Sequence, residues 1–192
     1  MGLLRNLLAL VGLIAVAGVL YAVVLLKPVI AEFDPGYFET YKKFATKLLE
    51  TKDPGSAMVY SVRVNKGISV EDVKDSLKSL ASARNFLFVG EAPFYKQVQA
   101  VTNQPYRHIS FLSFCDAKVG KLMADYNDVY TAFMPCRISV VEDKSGNLWL
   151  HTMALDLMIH GGKQLPPELK TEAIRIWKTI KEIMDGAAKG DI

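Results

Sequence analysis

The feature that most constrains this chain is an uncharged apolar run near its beginning. Residues 7 to 26 read LLALVGLIAVAGVLYAVVLL and contain no charged side chain. About 20 apolar residues, each adding about 1.5 Å to a helix, cross the roughly 30 Å hydrocarbon core of a bilayer. The apolar part of a secretory signal peptide is shorter, about 7–15 residues. The sequence therefore predicts a transmembrane anchor helix over 7–26, preceded by a short tail over 1–6, with the lipid bilayer as a partner.

The basic residues around this run leave its orientation open. Arg5 lies before it, and Lys27, Lys42, Lys43 and Lys47 lie after it. Counted strictly, the positive-inside rule favours a cytoplasmic domain, but large C-terminal domains cross a membrane largely regardless of charge. A short tail with one arginine before an apolar run is typical of an exported domain. We expect the exported side, with cleavage at Ala31 as the alternative to a retained anchor.

Small residues inside the anchor indicate where a second membrane helix would pack. Gly12, Gly18 and Ala22 lie along the helix, and the spacing of Gly18 and Ala22 lets two helix backbones approach closely. Glycine and alanine are also common in membrane helices without such a role. Both interpretations stay open from sequence.

The charge balance excludes one class of partner. The chain has 23 basic and 20 acidic residues. Without Arg5 and Lys27, 21 basic residues remain against 20 acidic ones, a balance of +1. Nucleic-acid binding requires a basic surface that neutralises phosphates. We therefore expect no nucleic-acid partner.

Residues 27–55 read as a stalk and linker between the anchor and a domain. Asp34 is a suitable N-cap, and Pro35 suits the first helical position. Apolar residues then recur at helical spacing until KDPG at 52–55 ends the segment. This pattern predicts an amphipathic helix whose aromatic stripe packs on the domain or lies at the lipid interface.

Residues 56–192 show the pattern of one α+β domain. The predicted order is β-α-β-β-α-β-β-α, which indicates an antiparallel sheet of about five strands with helices packed on one face. Ser69 and Asp72 form a capping box for the first helix of the domain. The fourth strand is expected over 129–143 with Pro135 at an edge or bulge, and the fifth over 148–159.

Three stretches of the domain occur in a recognisable order. They are VYSV leading into SVEDVKDSLKS, then ISFLSFCDA, then FMPCRISVVED. Together they resemble the domain of unknown function 302 family over roughly residues 57–160. The Pro135-Cys136 pair fits the family pattern, whereas Cys115-Asp116-Ala117 replaces its Cys-Asn-Pro, so a role for that asparagine does not carry over.

The resemblance implies a compact α+β domain that is often paired as a dimer, in a family without an established activity. The anchor and the segment after the fifth strand look like those of a membrane-anchored branch, which we associate with respiratory and sulfur-oxidising bacteria. This resemblance implies a single-pass protein of a bacterial inner membrane. The C-terminal domain is then expected on the periplasmic side.

The segment HTMALDLMIHGGKQ at 151–164 carries the side chains that hold haem iron or copper. In one continuous strand, His151 and Met153 would point to one face, and Met158 and His160 to the other. All four then do not converge on one metal, and methionine is a common core residue. His108, His151 and His160 remain weak metal candidates. We expect no cofactor, since Cys-x-x-Cys-His is also absent.

Cys115 and Cys136 are the only cysteines, and the predicted strands place them on neighbouring strands. Three interpretations stay open: two buried thiols, a disulfide on the exported side, or a reactive thiol or metal pair. Cys115 precedes a helix, where the helix dipole can lower the pKa of a thiol. It is the better nucleophile candidate of the two.

We expect the open face of the sheet or the loop at 158–165 to contact a partner, and residues in and beside that loop to bind a partner or ligand. The candidate residues are Asp156, Met158, His160, Gly161 and Gly162. Asp156 interrupts a very apolar stretch, so it either pairs with Arg137 or Arg63 or faces water.

Common catalytic motifs are absent from the sequence. The chain has no Gly-rich phosphate loop, no H-E-x-x-H and no G-x-S-x-G. We therefore expect a non-catalytic binding or accessory subunit of a membrane complex, with another membrane protein or a second copy of itself as partner. The alternatives are a redox or metal-handling protein using Cys115 and Cys136, and a domain that binds a small hydrophobic ligand between sheet and helices.

Overall fold

The predicted anchor lies within one long helix in the computed structural model, which describes residues 2–192. Helix α1 spans Gly2–Ile30, and none of its apolar window is buried against the rest of the chain. By length and composition this helix is long and apolar enough to cross a membrane. It extends beyond the predicted 7–26 at both ends. Residues 2–6 of the predicted tail are therefore helical, and Met1 lies outside the described residues.

The stalk contains helix α2, Tyr37–Thr51, and a short helix α3, Pro54–Ala57. Asp34 does not cap α2 as predicted, because the helix begins later and Gly36 takes the N-cap position. The Asp34 carboxylate instead accepts a hydrogen bond from the Gly36 N–H at 2.8 Å and makes long-range contacts. The predicted end at 52–55 is confirmed: α2 stops at Thr51, and Lys52 is left-handed.

The domain contains one antiparallel sheet of five strands, as predicted. The strands are β1 Val59–Arg63, β2 Leu87–Ala92, β3 Ile109–Cys115, β4 Cys136–Glu142 and β5 Leu148–Met153. They lie in the order β1-β5-β4-β3-β2, and every neighbouring pair is antiparallel. The hairpin between β4 and β5 turns at Gly146, whose φ of +78° suits glycine.

The helices of the domain are α4 Val70–Ser82, α5 Phe94–Thr102, α6 Ala117–Tyr126, a 3-10 helix Asp128–Phe133, α7 Asp156–His160 and α8 Pro167–Ala187. The capping box of α4 is present: Asp72 N–H donates to Ser69 Oγ, and Ser69 N–H donates to the Asp72 carboxylate, each at 3.1 Å. Asp116 caps α6 through the N–H groups of Lys118 and Val119. These local signals were readable in the sequence.

The core lies between one face of the sheet and helices α4 and α8. Strand residues alternate, so every second side chain of β3, β4 and β5 points into this core. The largest fully buried side chains are Leu77, Leu112, Phe114, Ile138, Leu150, Ile180, Ile183 and Met184. The opposite face, called the open face below, carries Ser61, Arg63, Arg137, Ser139, Trp149, His151 and Met153 in register on β1, β5 and β4.

Two predicted strands were too long. Pro135 does not lie inside β4, because residues 128–133 form the 3-10 helix and the strand begins at Cys136. Strand β5 ends at Met153, where its partner β1 begins at Val59, and Asp156 starts α7. A short apolar run does not distinguish a strand from a buried helix turn by periodicity.

Candidate functional site

The segment 151–164 is divided between two places in the fold. His151 and Met153 lie on the open face in β5, as predicted, whereas Met158 and His160 belong to α7. The prediction that Met158 and His160 point to one face of a strand is therefore wrong. The four side chains still do not form one site, since two lie on a strand and two on the helix that follows it.

His160 takes part in a cluster that joins the stalk to the domain. Its Nδ1 lies 2.9 Å from Asp34 Oδ1, and the Lys170 ammonium group pairs with the other carboxylate oxygen. The Asp34 side chain is only 1% exposed. We call Asp34, His160 and Lys170 the stalk latch, because Asp34 belongs to the stalk while His160 and Lys170 lie in α7 and α8.

The electrostatics of the latch favour an ionised Asp34. Burial alone raises the pKa of this carboxyl, because it disfavours the charged form. Hydrogen bonds from Lys170, the Gly36 N–H and His160, together with the Lys170 charge, outweigh burial and lower the pKa to about 2. The carboxylate is therefore charged and fully partnered at neutral pH.

The predicted partner loop is already occupied by the stalk of the same chain. The Asp34 N–H donates to the Gly162 carbonyl at 2.9 Å, and the Tyr41 hydroxyl donates to the Gly161 carbonyl at 3.0 Å. Phe33 and Lys163 form an isolated antiparallel bridge beside these contacts. The loop binds the stalk rather than standing free for a second molecule.

Asp156 lies outside the latch. Its side chain is exposed, and it makes no ion pair within residues 2–192. The predicted pairing with Arg137 or Arg63 does not form, and the water-facing alternative describes this residue.

The open face carries a groove, called the open-face groove below. It has a volume of about 430 Å³. Its lining combines aromatic, aliphatic and polar side chains: Phe111, Phe133, Arg137, Ser139, His151 and Met153. A shallower depression at the β1 edge, lined in part by Lys47, Ser61 and His151, adjoins it. The sequence offered the open sheet face as a contact surface but did not predict this groove, because the groove is assembled from β3, β4, β5 and the 3-10 helix.

His151 lies where the groove and this depression meet. Its Nδ1 is 2.8 Å from Ser61 Oγ, and its ring stacks at 6.1 Å on Trp149, over which the Arg63 guanidinium lies at 5.9 Å. Burial lowers the pKa of His151 below its ordinary value, so the ring is neutral at pH 7. No carboxylate hydrogen-bonds His151 among the residues that the structure describes, so it lacks the acid that orients a catalytic base.

Both cysteines are free thiols. Cys136 pairs in the ladder with Phe114, directly before Cys115. Burial, and then the neighbouring Asp116, raise the pKa of Cys115, which is opposite to the dipole effect expected from sequence. Burial, and then Cys115, raise the pKa of Cys136 to about 11. Both thiols are therefore protonated at neutral pH and are poor nucleophiles.

The three histidines are dispersed. His108 Nε2 lies 3.0 Å from Ser110 Oγ, and its ring lies 4.6 Å from that of Tyr95. Burial, and then the charge of Lys74, lower the pKa of His108. Within residues 2–192, no three His, Cys, Asp or Glu side chains group as metal ligands would. The predicted weak metal candidates are therefore not brought together.

The space between sheet and helices is small. An apolar cavity lined by Met123, Met158, Ile159 and Ile176 has a volume of only about 50 Å³. Pockets that hold small ligands measure about 300 Å³ or more. This interior cavity does not fit the predicted hydrophobic ligand, whereas the open-face groove is large enough.

Comparison with known proteins supports the fold. The sequence model of the domain of unknown function DUF302 matches residues 60–187. A crystal structure of an uncharacterized conserved DUF302 protein from Bacillus stearothermophilus has 17% sequence identity, with a TM-score of 0.54 over 67% of this chain and 96% of that one. At this identity the likeness concerns the fold alone. No curated protein matches the chain.

Proposed function

This chain belongs to the DUF302 family, and from that premise we propose that it is a membrane-anchored, non-catalytic binding subunit of a bacterial membrane complex. Helix α1 would hold the domain at the bilayer. The stalk latch would keep the domain attached close to the anchor. The open face would then bind the partner, which is another membrane protein or a second copy of this chain.

The observation that carries this proposal is the open-face groove. Its volume of about 430 Å³ combines aromatic rings with the Arg137 guanidinium, the Ser139 hydroxyl and the His151 imidazole. Aromatic residues and arginine are the side chains enriched at the centres of protein interfaces. Over the described parts of β1, β4 and β5, no carboxylate occupies an open-face position. The groove therefore favours a partner surface that is partly apolar and carries acidic groups.

A binding role fits the groove better than catalysis. Ser61 and His151 form a hydroxyl–imidazole pair, but the hydroxyl contacts Nδ1 of the imidazole. In a catalytic triad the hydroxyl contacts Nε2, and Nδ1 donates its hydrogen to the orienting carboxylate. The rival redox role depends on Cys115 and Cys136, and their raised pKa values oppose thiolate chemistry.

The experiment that tests the proposal is the native mass of the protein after gentle extraction from its own membrane. We expect additional mass from a second polypeptide, or from a second copy, at fixed stoichiometry. Arg137→Glu reverses the charge at the exposed edge of the groove and should remove that mass. Lys144→Glu, the same charge change at an exposed turn on the β4–β5 hairpin, should keep it.

Two results would contradict the proposal. A mass of one chain alone would show that no stable partner exists. An unchanged complex in Arg137→Glu would show that the partner binds elsewhere.

Within this proposal the domain faces the periplasm. The support is the short N-terminal segment with a single arginine, Arg5, before the apolar run. Alkaline phosphatase fused after Ile192, which is 94% exposed, should be active in intact cells. An inactive fusion whose fluorescent-protein counterpart is bright would place the domain in the cytoplasm.

A further inference from the structure

Helix α2 has three different faces, of which the domain covers only one. Successive residues of a helix are about 100° apart, so positions three or four apart share a face. Tyr37, Thr40, Phe44 and Leu48 are buried or half-buried toward the domain. The next face, called the outer stripe below, carries Phe38, Tyr41, Ala45 and Leu49.

The outer stripe is apolar and unusually exposed. Phe38 is 66% exposed, Tyr41 42% and Leu49 78%. Large apolar side chains that recur along three turns of one helix face mark an interaction surface rather than scattered surface residues. The stripe therefore requires a partner that covers its whole length.

The charged residues of α2 indicate what that partner is. The carboxylates of Glu39 and Glu50 lie on the third face, where Glu39 pairs with Lys43 at 3.9 Å. The charge nearest the outer stripe is Lys42, about 40° from Phe38 at 100° per residue. An apolar stripe bordered by lysine, with its acids turned away, is typical of a helix at a membrane surface.

The position of α2 in the chain fits a membrane surface. Helix α1 continues to Ile30, four residues beyond Leu26, which is about 6 Å of rise. The polar headgroup region outside the hydrocarbon core is about 5–7 Å thick on each side. The turn between the helices therefore lies at headgroup level. Tyr37 contacts Phe33 and Tyr41 there, with ring centroids 4.6 Å apart in both pairs, and such aromatic rings favour membrane interfaces.

The stalk latch fixes which side of α2 is available. Asp34 lies in the turn between α1 and α2 and is tied to His160 and Lys170 of the domain. Lys47 also donates to the Val59 carbonyl at 2.7 Å, which ties the other half of α2 to the edge of the sheet. The helix is thus fastened at both ends by its domain side. Within the outer stripe, Tyr41 contacts the domain through its hydroxyl on the Gly161 carbonyl, whereas Phe38, Ala45 and Leu49 are exposed.

We propose that α2 lies along the membrane surface, with Phe38, Ala45 and Leu49 inserted among the lipid headgroups and Tyr41 at the border between lipid and domain, where its hydroxyl keeps the hydrogen bond to Gly161. The occupant of this stripe is the same bilayer that α1 crosses, so the inference rests on the membrane anchor of the proposed function. It goes beyond the anchor because it sets the orientation of the domain. The open face is then held at a constant angle to the membrane for its partner.

The test uses the full chain in vesicles of phosphatidylcholine with about one-third phosphatidylglycerol, an anionic lipid that attracts lysine. A fluorescent label is attached in a Cys115→Ala, Cys136→Ala background at Phe38→Cys or Leu49→Cys. Matched controls one residue further along are Glu39→Cys and Glu50→Cys. A label at Ala15→Cys reports insertion of α1. The quencher is a nitroxide carried near the headgroup of the lipid.

We expect quenching about twofold or more stronger at 38 and 49 than at 39 and 50, since adjacent helical positions face about 100° apart. Equal quenching at all four positions, with the Ala15→Cys label protected from water, would overturn the surface orientation alone. An Ala15→Cys label exposed to water would overturn the anchor and this inference together.

A second pair of variants repeats the measurement without replacing Cys115 and Cys136. Phe38→Trp and Glu39→Trp retain both native cysteines and share the native tryptophans. Brominated lipids should quench the first variant more than the second. Equal quenching of the two variants would again contradict the proposal.

Discussion

Asp34 is the residue on which the attachment of the stalk to the domain depends. Its carboxylate is buried and accepts hydrogen bonds from residues more than a hundred positions away in the chain. Nothing in the local sequence predicts these contacts. Asp34 reads as a helix cap, a role that needs only the next few residues.

Asp34→Asn should weaken the folded state at neutral pH by about 2–3 kcal/mol, because it removes a buried charge from its Lys170 partner. The pKa of Asp34 in the folded state, about 2, lies below its ordinary value of 3.8. Its contribution is therefore complete above pH about 4 and is lost as the pH falls towards about 2. Urea unfolding of the full chain in detergent, measured between these pH values, checks this.

The control for this prediction is Asp125→Asn, which breaks an exposed ion pair with Lys121 on α6. Exposed pairs contribute about 0–1 kcal/mol, so this variant should keep the acid dependence of the parent. An Asp34→Asn variant with the same stability and acid dependence as the parent would show that the latch is not a stabilising element.

Gly161 and Gly162 are neighbours that differ in whether a Cβ atom would fit. A Cβ on Gly161 would lie 2.3 Å from the Leu157 carbonyl oxygen, whereas a Cβ on Gly162 meets nothing within 4 Å. Gly161→Ala should therefore destabilise the chain by about 1–3 kcal/mol, because backbone must move. Gly162→Ala should stay within about 0.5 kcal/mol of the parent. Thermal unfolding of both variants checks this. Equal melting temperatures would contradict a steric clash at Gly161.

At the scale of elements, local sequence signals succeeded at three element ends that local chemistry fixes, although the Asp34 cap of α2 failed. The capping box of α4, the Asp116 cap of α6 and the glycine turn between β4 and β5 all form as predicted. The predictions failed for β4 and β5, whose ends depend on neighbouring strands. Strand β5 stops where its antiparallel partner β1 begins, and that pairing joins residues about ninety positions apart.

The capping box offers the prediction at this scale. Ser69→Ala should cost about 1 kcal/mol, because it leaves the Asp72 N–H without its partner at 3.1 Å. Ser82→Ala, an exposed position in the last turn of the same helix, should be neutral or slightly stabilising. Denaturant midpoints of the two variants check this, and a loss that is as large for Ser82→Ala would argue against a capping effect.

At the scale of the whole molecule, α1 is largely apolar whereas the domain has its own core and a polar surface. The stalk that follows α1 is held to the domain by the stalk latch. Helix α1 has no buried residue in its apolar window, so the domain does not supply its apolar environment. A domain with its own core and an uncovered apolar helix is the arrangement expected of a single-pass protein.

Ile14→Arg tests this arrangement. A charge near the centre of α1 should disfavour insertion by about 3 kcal/mol. A larger share of the chain should then be released from membranes by an alkaline carbonate wash, whereas Ile14→Leu should stay in the membrane fraction. Equal retention of both variants would show that α1 does not hold the protein there.

The sequence by itself determined the long apolar N-terminal helix, the α+β class, the five-stranded antiparallel sheet and most helix caps. These features depend on residues close together in the chain: an uncharged run, alternation along strands, and cap residues beside helix ends. Only the tertiary structure decided which distant residues form the stalk latch and the open-face groove. Asp34 contacts His160 and Lys170, and Phe111 of β3 and His151 of β5 line the same groove. Such contacts join distant residues through strand order and packing, which local pattern does not encode.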